Sequence, residues 1–92
     1  MIVRIATEGQ YELPDGIHDE LNQLDNRVVA AVEADDESAY RESFAALLDF
    51  IRGRGTVLDD TDLRESDLIV PPPDLTLVEA EAEFTGDGLL PD

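Results

Sequence analysis

Two apolar stripes, each repeating at helical spacing and separated by only a few residues, constrain this chain more than any other feature. Ile17, Leu21, Leu24, Val28 and Val32 fall at i, i+4, i+7, i+11 and i+15, which places them on one face of a helix. Tyr40, Phe44, Leu47, Leu48 and Ile51 form a second such face. Between the two lies Ala34-Asp35-Asp36, in which Asp35 or Asp36 supplies the N-cap of the second helix. So short a connection makes the helices antiparallel neighbours, an αα-hairpin over residues 15–54. Pro14-Asp15-Gly16 opens the first helix, with Asp15, Asp19 and Glu20 near its positive end. Asp19, Glu20, Asp25 and Glu33 are expected on its solvated face. Arg52 and Arg54 sit near the negative end of the second helix, where Gly53 or Gly55 takes a left-handed stop.

The flanking segments read as short strands. Ile2 to Ala6 is rich in β-branched residues, Glu8-Gly9-Gln10 reads as a turn, and Tyr11-Glu12-Leu13 alternates like a returning strand. A β-hairpin over residues 1–13 follows, and it must pack on the helices because an isolated hairpin is marginal in water. Residues 56–75 form an extended, proline-rich segment. Thr56-Val57-Leu58 and Leu68-Ile69-Val70 are its two candidate strands, an acid-rich loop anchored by Leu63 joins them, and Pro71-Pro72-Pro73 ends the second. Whether either strand joins the hairpin is open. Residues 76–92 hold a short helix and tail: Thr76 and Glu79 match a capping box, the helix runs to about Phe84, and Gly86-Asp87-Gly88 stops it before Leu89-Leu90-Pro91 folds back. The expectation is one α+β domain over 1–92.

At 92 residues the chain can bury a little over about 60% of its surface, enough for one modest core. It has no Cys, which excludes disulfides and thiolate metal sites. Met1 to Ile5 lacks the apolar core of a signal peptide, and no run of 18 apolar residues occurs, so the expectation is a cytoplasmic protein without a membrane span. Twenty-three Asp and Glu face six Arg and no Lys, a net charge of −17. With no basic stripe to neutralise phosphates, direct nucleic-acid binding is not expected. Self-repulsion at this charge is largely screened only in strong salt, where the Debye length falls to about 3 Å at 1 M. The composition therefore reads first as adaptation to a salt-rich cytoplasm such as that of a halophilic archaeon. The rival reading is a basic partner, whose site the acids would occupy as an inhibitor or nucleic-acid mimic.

Chemistry is sparse. His18 is the single histidine, on the first helical turn and without the partners a general base needs. Asp59 to Glu65 resembles a calcium loop but lacks the Gly and the bidentate Glu of that motif. The glycines form no phosphate-binding fingerprint, and Ser38, Ser43 and Ser66 lie in no nucleophile elbow. No catalytic, cofactor or metal residue is assigned. The most specific stretch is Ser66 to Asp74. Its bland reading is a local turn, a core-facing strand and a stiff proline arm; its functional reading is a preformed polyproline docking segment.

Taken in order, the Met-Ile-Val-Arg-Ile strand, Glu8-Gly9-Gln10-Tyr11, the Asp19–Ala34 helix, the Asp36-Glu37 helix start with Phe44 and Leu48, Ser66-Asp67-Leu68 leading to Pro71-Pro72-Pro73-Asp74, Thr76-Leu77 and Gly88-Leu89-Leu90-Pro91 resemble the PspA-associated family, PspAA, over essentially the full length. Members accompany PspA, the coiled-coil phage-shock protein that assembles on stressed membranes. The resemblance implies a non-enzymatic interaction module, a partner or modulator of a PspA-like protein, with any membrane association indirect. Gly9, Tyr11, Ser66, Asp67, Pro71, Pro72, Pro73 and Asp74 match its most distinctive pattern and are candidate interaction or fold-defining positions. Docking of one face against a partner helix is expected through apolar surface near Val29, Phe50 or Leu75.

Overall fold

The structure, a computed structural model, describes residues 1–59 and 64–84. Their order is β1 (Ile2–Ile5), β2 (Gly9–Glu12), α1 (His18–Glu33), α2 (Glu37–Arg54), β3 (Thr56–Val57), β4 (Leu68–Val70) and α3 (Leu77–Glu83). The expected Leu63 anchor, the Gly86–Gly88 stop and the Leu89–Pro91 fold-back lie outside the described residues.

Both short extended segments join the hairpin, at opposite edges, in the order β3-β2-β1-β4. β1 is antiparallel to β2, with Ile2 opposite Glu12 and Ile5 opposite Gly9, and parallel to β4, with Val3 beside Leu68 and Ile5 beside Val70. The two-residue period puts Val3, Ile5, Leu68 and Val70 on the face that packs against the helices. Ile2, Arg4, Gln10, Glu12 and Ile69 share the other face. Arg64 and Ser66, which precede β4, meet this second face through Gln10. Gln10 and Ile2 are each 8% exposed on it.

The turn between β1 and β2 is placed differently from the sequence expectation. Its closing bond is Glu8 N to Ile5 O at 3.0 Å, so Ala6, Thr7 and Glu8 form it. Gly9 already pairs in the ladder at φ 143°, a conformation closed to residues with a Cβ, and this frees Gln10 for a role in the sheet.

The helical hairpin follows its stripes with two corrections. α1 starts at His18, three residues after Asp15, and its N-cap Ile17 has no side-chain cap. Asp25, expected in solvent, is 1% exposed and partnered. The buried row is Leu21, Asp25, Val28 and Val32, while Leu24 is only partly buried. A spacing of four and then three residues carries the core face through Asp25, and charge alone suggested otherwise. Between the helices, Asp35 N donates to Val32 O and Asp36 N to Ala31 O, a Schellman motif with Asp35 left-handed at φ 54°. Asp36 also caps α2, its Oδ1 accepting from Ala39 N at 3.1 Å. One residue thus ends α1 and starts α2, which fixes the antiparallel geometry.

α2 does not end in a left-handed glycine. Gly53 lies inside the helix, and the C-cap Gly55 is extended at φ −89°. Glycine is needed there for space, since a Cβ would stand 2.6 Å from Ile51 O and 2.9 Å from Tyr11 Cβ. α3 begins with the expected capping box between Thr76 and Glu79. Phe84 at its end meets Phe44 edge to face at 5.7 Å, and Phe44 stacks on Tyr40 at 5.6 Å. This aromatic row ties the last described element to the middle of α2.

Candidate interaction groove

α2 is amphipathic in a way that leaves one flank unfinished. Tyr40, Phe44 and Leu48 are buried, and one step round the helix Glu37, Arg41, Ala45 and Asp49 form an exposed ridge at four-residue spacing. Facing this ridge is the chain that leaves β4. Pro71 is buried, Leu75 N donates to Pro72 O at 3.0 Å, and Tyr40 Oη donates to Leu75 O at 2.6 Å. The stretch from Pro73 to Thr76 is thereby held at a fixed distance from α2. Between wall and ridge runs a groove of about 400 Å³ with Tyr40, Phe44, Leu48 and Leu77 along its floor.

The rim carries both signs. Arg41 pairs with Glu37 at 2.8 Å, one turn apart on α2. At the other end, the Arg52 guanidinium donates through Nε to Glu8 Oε2 at 2.9 Å and lies 3.3 Å from Asp49 Oδ1. The hydrogen bond from Arg52 holds the Glu8 carboxyl below the usual carboxylate range, against a smaller opposing push from burial. Tyr11 donates its hydroxyl to the same carboxylate at 2.8 Å, and that bond raises its own phenol. Burial pushes the Tyr40 phenol up to about 12, with the nearby Glu79 adding to the shift.

The positions singled out in the sequence divide into two groups. Gly9, Tyr11, Ser66 and Asp67 lock the sheet. Gln10 Nε2 donates to Ser66 Oγ at 2.8 Å and to Arg64 O at 3.2 Å, which pins the segment from Arg64 to Ser66 to the outer face. Asp67 clasps Ile2 through backbone and side chain. Pro71 and Pro72 shape the exit from β4, and only Pro73 and Asp74 reach the groove. Val29 is 8% exposed and offers no docking surface, because α1 buries it beside Val28. Phe50 is half-buried with Arg54 stacked 5.5 Å over its ring. Leu75 does line the groove. His18 is exposed on α1, 4.0 Å from Asp19 Oδ1, and lies outside the groove.

Gln10, Arg52 and Tyr40 carry much of this geometry through distant partners that nothing local in the sequence marks. The Glu-Gly-Gln-Tyr run held the signal for Gln10, but its pairing with Ser66 spans 56 residues. Among the described residues no group of three or more His, Asp or Glu is placed to hold a metal ion, and no helix is long and apolar enough to cross a membrane.

The family model for PspA-associated proteins matches residues 1–92, the whole chain. The chain belongs to the PspAA family. No curated protein and no solved structure matches it. On the sheet side of this PspAA protein Gln10, Ser66 and Asp67 hold β4 and the segment before it in place. Pro73 and Asp74 belong to the wall of the α2 groove.

Proposed function

We propose that this PspAA protein is a non-enzymatic interaction module, a cytoplasmic partner or modulator of a PspA-like coiled-coil protein in the envelope-stress response. The observation that carries the reading is the family match over residues 1–92. A groove with an apolar floor and paired charges on its rim supports protein binding, because it offers buried area together with polar groups that set orientation. The exposed acids stand on α1, α2, α3 and the outer face of the sheet, as on a solvated surface, which speaks against a single face built to mimic nucleic acid. A net charge of −17 is repelled by anionic headgroups except where salt screens it, so membrane association runs through the partner.

Co-purification of the chain with the PspA-like protein of the same cell, at the cell's own salt concentration, tests the proposal. A stoichiometric complex is the expected result. Failure to associate would sink it.

A further inference from the structure

We infer that the groove along α2 is the docking site for one helix of the PspA-like coiled coil, lying along α2 against the wall formed by Pro73 to Thr76. The inference rests on the proposed function and adds the surface and the shape of the contact.

The groove has the form that a helix takes. Its α2 wall extends from Glu37 to Arg52, about 22 Å or four turns at 1.5 Å per residue. Ridges of side chains at four-residue spacing are what pack into such grooves, and Glu37, Arg41, Ala45 and Asp49 form one ridge at that spacing. The smallest member, Ala45, is next to the buried Phe44 and Leu48, so a partner backbone approaches closest over the most apolar part of the floor.

The wall is set before binding. The Tyr40–Leu75 bond and the Pro72–Leu75 turn hold it, so little ordering entropy is lost on association.

Charge favours a coiled-coil helix over a second copy of this chain. In a chain with 23 acids and six Arg, the groove rim gathers two Arg (Arg41, Arg52) against three acids (Glu37, Asp49, Asp74), a local balance of −1. Opposite signs alternate along it at one-turn spacing, Glu37 with Arg41 and Asp49 with Arg52. The flanks of coiled-coil helices carry mixed charges in the same rhythm. A second copy would instead set this rim against a body of net charge −17, a repulsion that strong salt reduces but does not turn into attraction.

The test measures affinity of the full chain for the PspA-like protein of the same cell in molar KCl, by calorimetry, for the wild type and three single variants. Ala45→Arg puts a long side chain into the groove at an exposed helical position that tolerates it. Ala30→Arg fills the separate concavity between α1 and α2, and Ile69→Lys alters the exposed sheet edge. The expected result is at least a tenfold loss for Ala45→Arg and less than a twofold change for the other two, with all melting temperatures alike. If the wild type binds and Ala45→Arg binds equally well, the groove assignment is overturned while the partner stands. If the wild type does not bind, the proposed function falls and takes the groove with it. Sedimentation of the isolated chain completes the test: a dimer that Ala45→Arg dissociates would give the groove to a second copy and overturn the inference.

Discussion

Asp67 and Ile2 are joined twice: Asp67 N donates to Ile2 O at 2.7 Å, and Asp67 Oδ2 accepts from Ile2 N at 2.7 Å. Sixty-five positions apart in the chain, the two residues close the start of the parallel β1–β4 ladder. Asp67→Ala leaves a partly buried backbone N–H without its acceptor. The expected loss is about 1–3 kcal/mol, with Asp67→Asn losing less because its carbonyl oxygen still accepts. Chemical unfolding at constant molar KCl measures both.

Gln10 is matched to its site by donor chemistry. Its amide gives hydrogen bonds to Ser66 Oγ and to Arg64 O, so Gln10→Glu sets a carboxylate against a carbonyl oxygen. Gln10→Glu should destabilise more than Gln10→Leu. The pair Gln10→Ala and Ser66→Ala should couple by about 1 kcal/mol in a double-mutant cycle. Strict additivity would mean that the bond contributes nothing.

Asp35 holds a left-handed conformation at the negative end of α1, two features that glycine removes together. Asp35→Gly should raise stability by about 0.5–1 kcal/mol, net of the entropy that glycine costs in the unfolded chain. A rise in melting temperature checks it, and a fall would show that the carboxylate has a role in the turn.

Arg52 stabilises the charged form of Glu8, so the folded-state value of this carboxyl lies below its unfolded one. The resulting stability is complete above the ordinary glutamate range near 4.5 and is lost as pH falls through the depressed folded value. Glu8→Gln should therefore lower stability at neutral pH and leave the region below the depressed value little changed, which flattens the acid limb of the stability curve. The difference between the two proteins should shrink as KCl screens the pair. Parallel acid limbs would remove Glu8 from the account.

Salt acts in two directions on this protein. It screens the repulsion among 23 acids, and it weakens the stitches Arg52–Glu8, Arg54–Glu20 and Arg64–Glu12, which join distant parts of the chain. The acids far outnumber the stitches, and exposed pairs contribute at most about 1 kcal/mol each. The melting temperature should therefore rise from dilute buffer to molar KCl. An unchanged value would refute salt adaptation as the meaning of the charge.

Local features were legible where a residue acts on its own neighbours. The helical stripes, the Asp36 cap, the arginines at the end of α2 and the Thr76–Glu79 box all involve residues within a few positions of one another, so periodicity and capping chemistry reveal them. Charge alone puts Asp25 in solvent, whereas the spacing from Leu21 to Val28 puts it on the buried row, where it lies. The turn at Ala6 to Glu8 was shifted because Gly9 looked like its centre and in fact begins the ladder.

By itself the sequence determined an αα-hairpin, a short capped third helix, strand-forming segments on either side and a net charge of −17. Tertiary structure alone decided that β3 and β4 take opposite edges of one sheet, that Gln10 and Asp67 serve as its fastenings, and that Tyr40 holds the wall of the α2 groove. The reason is distance along the chain. Hydrogen bonds such as Gln10–Ser66, Ile2–Asp67 and Tyr40–Leu75 span 56, 65 and 35 positions, and no local preference encodes which donor will meet which acceptor until the core has packed.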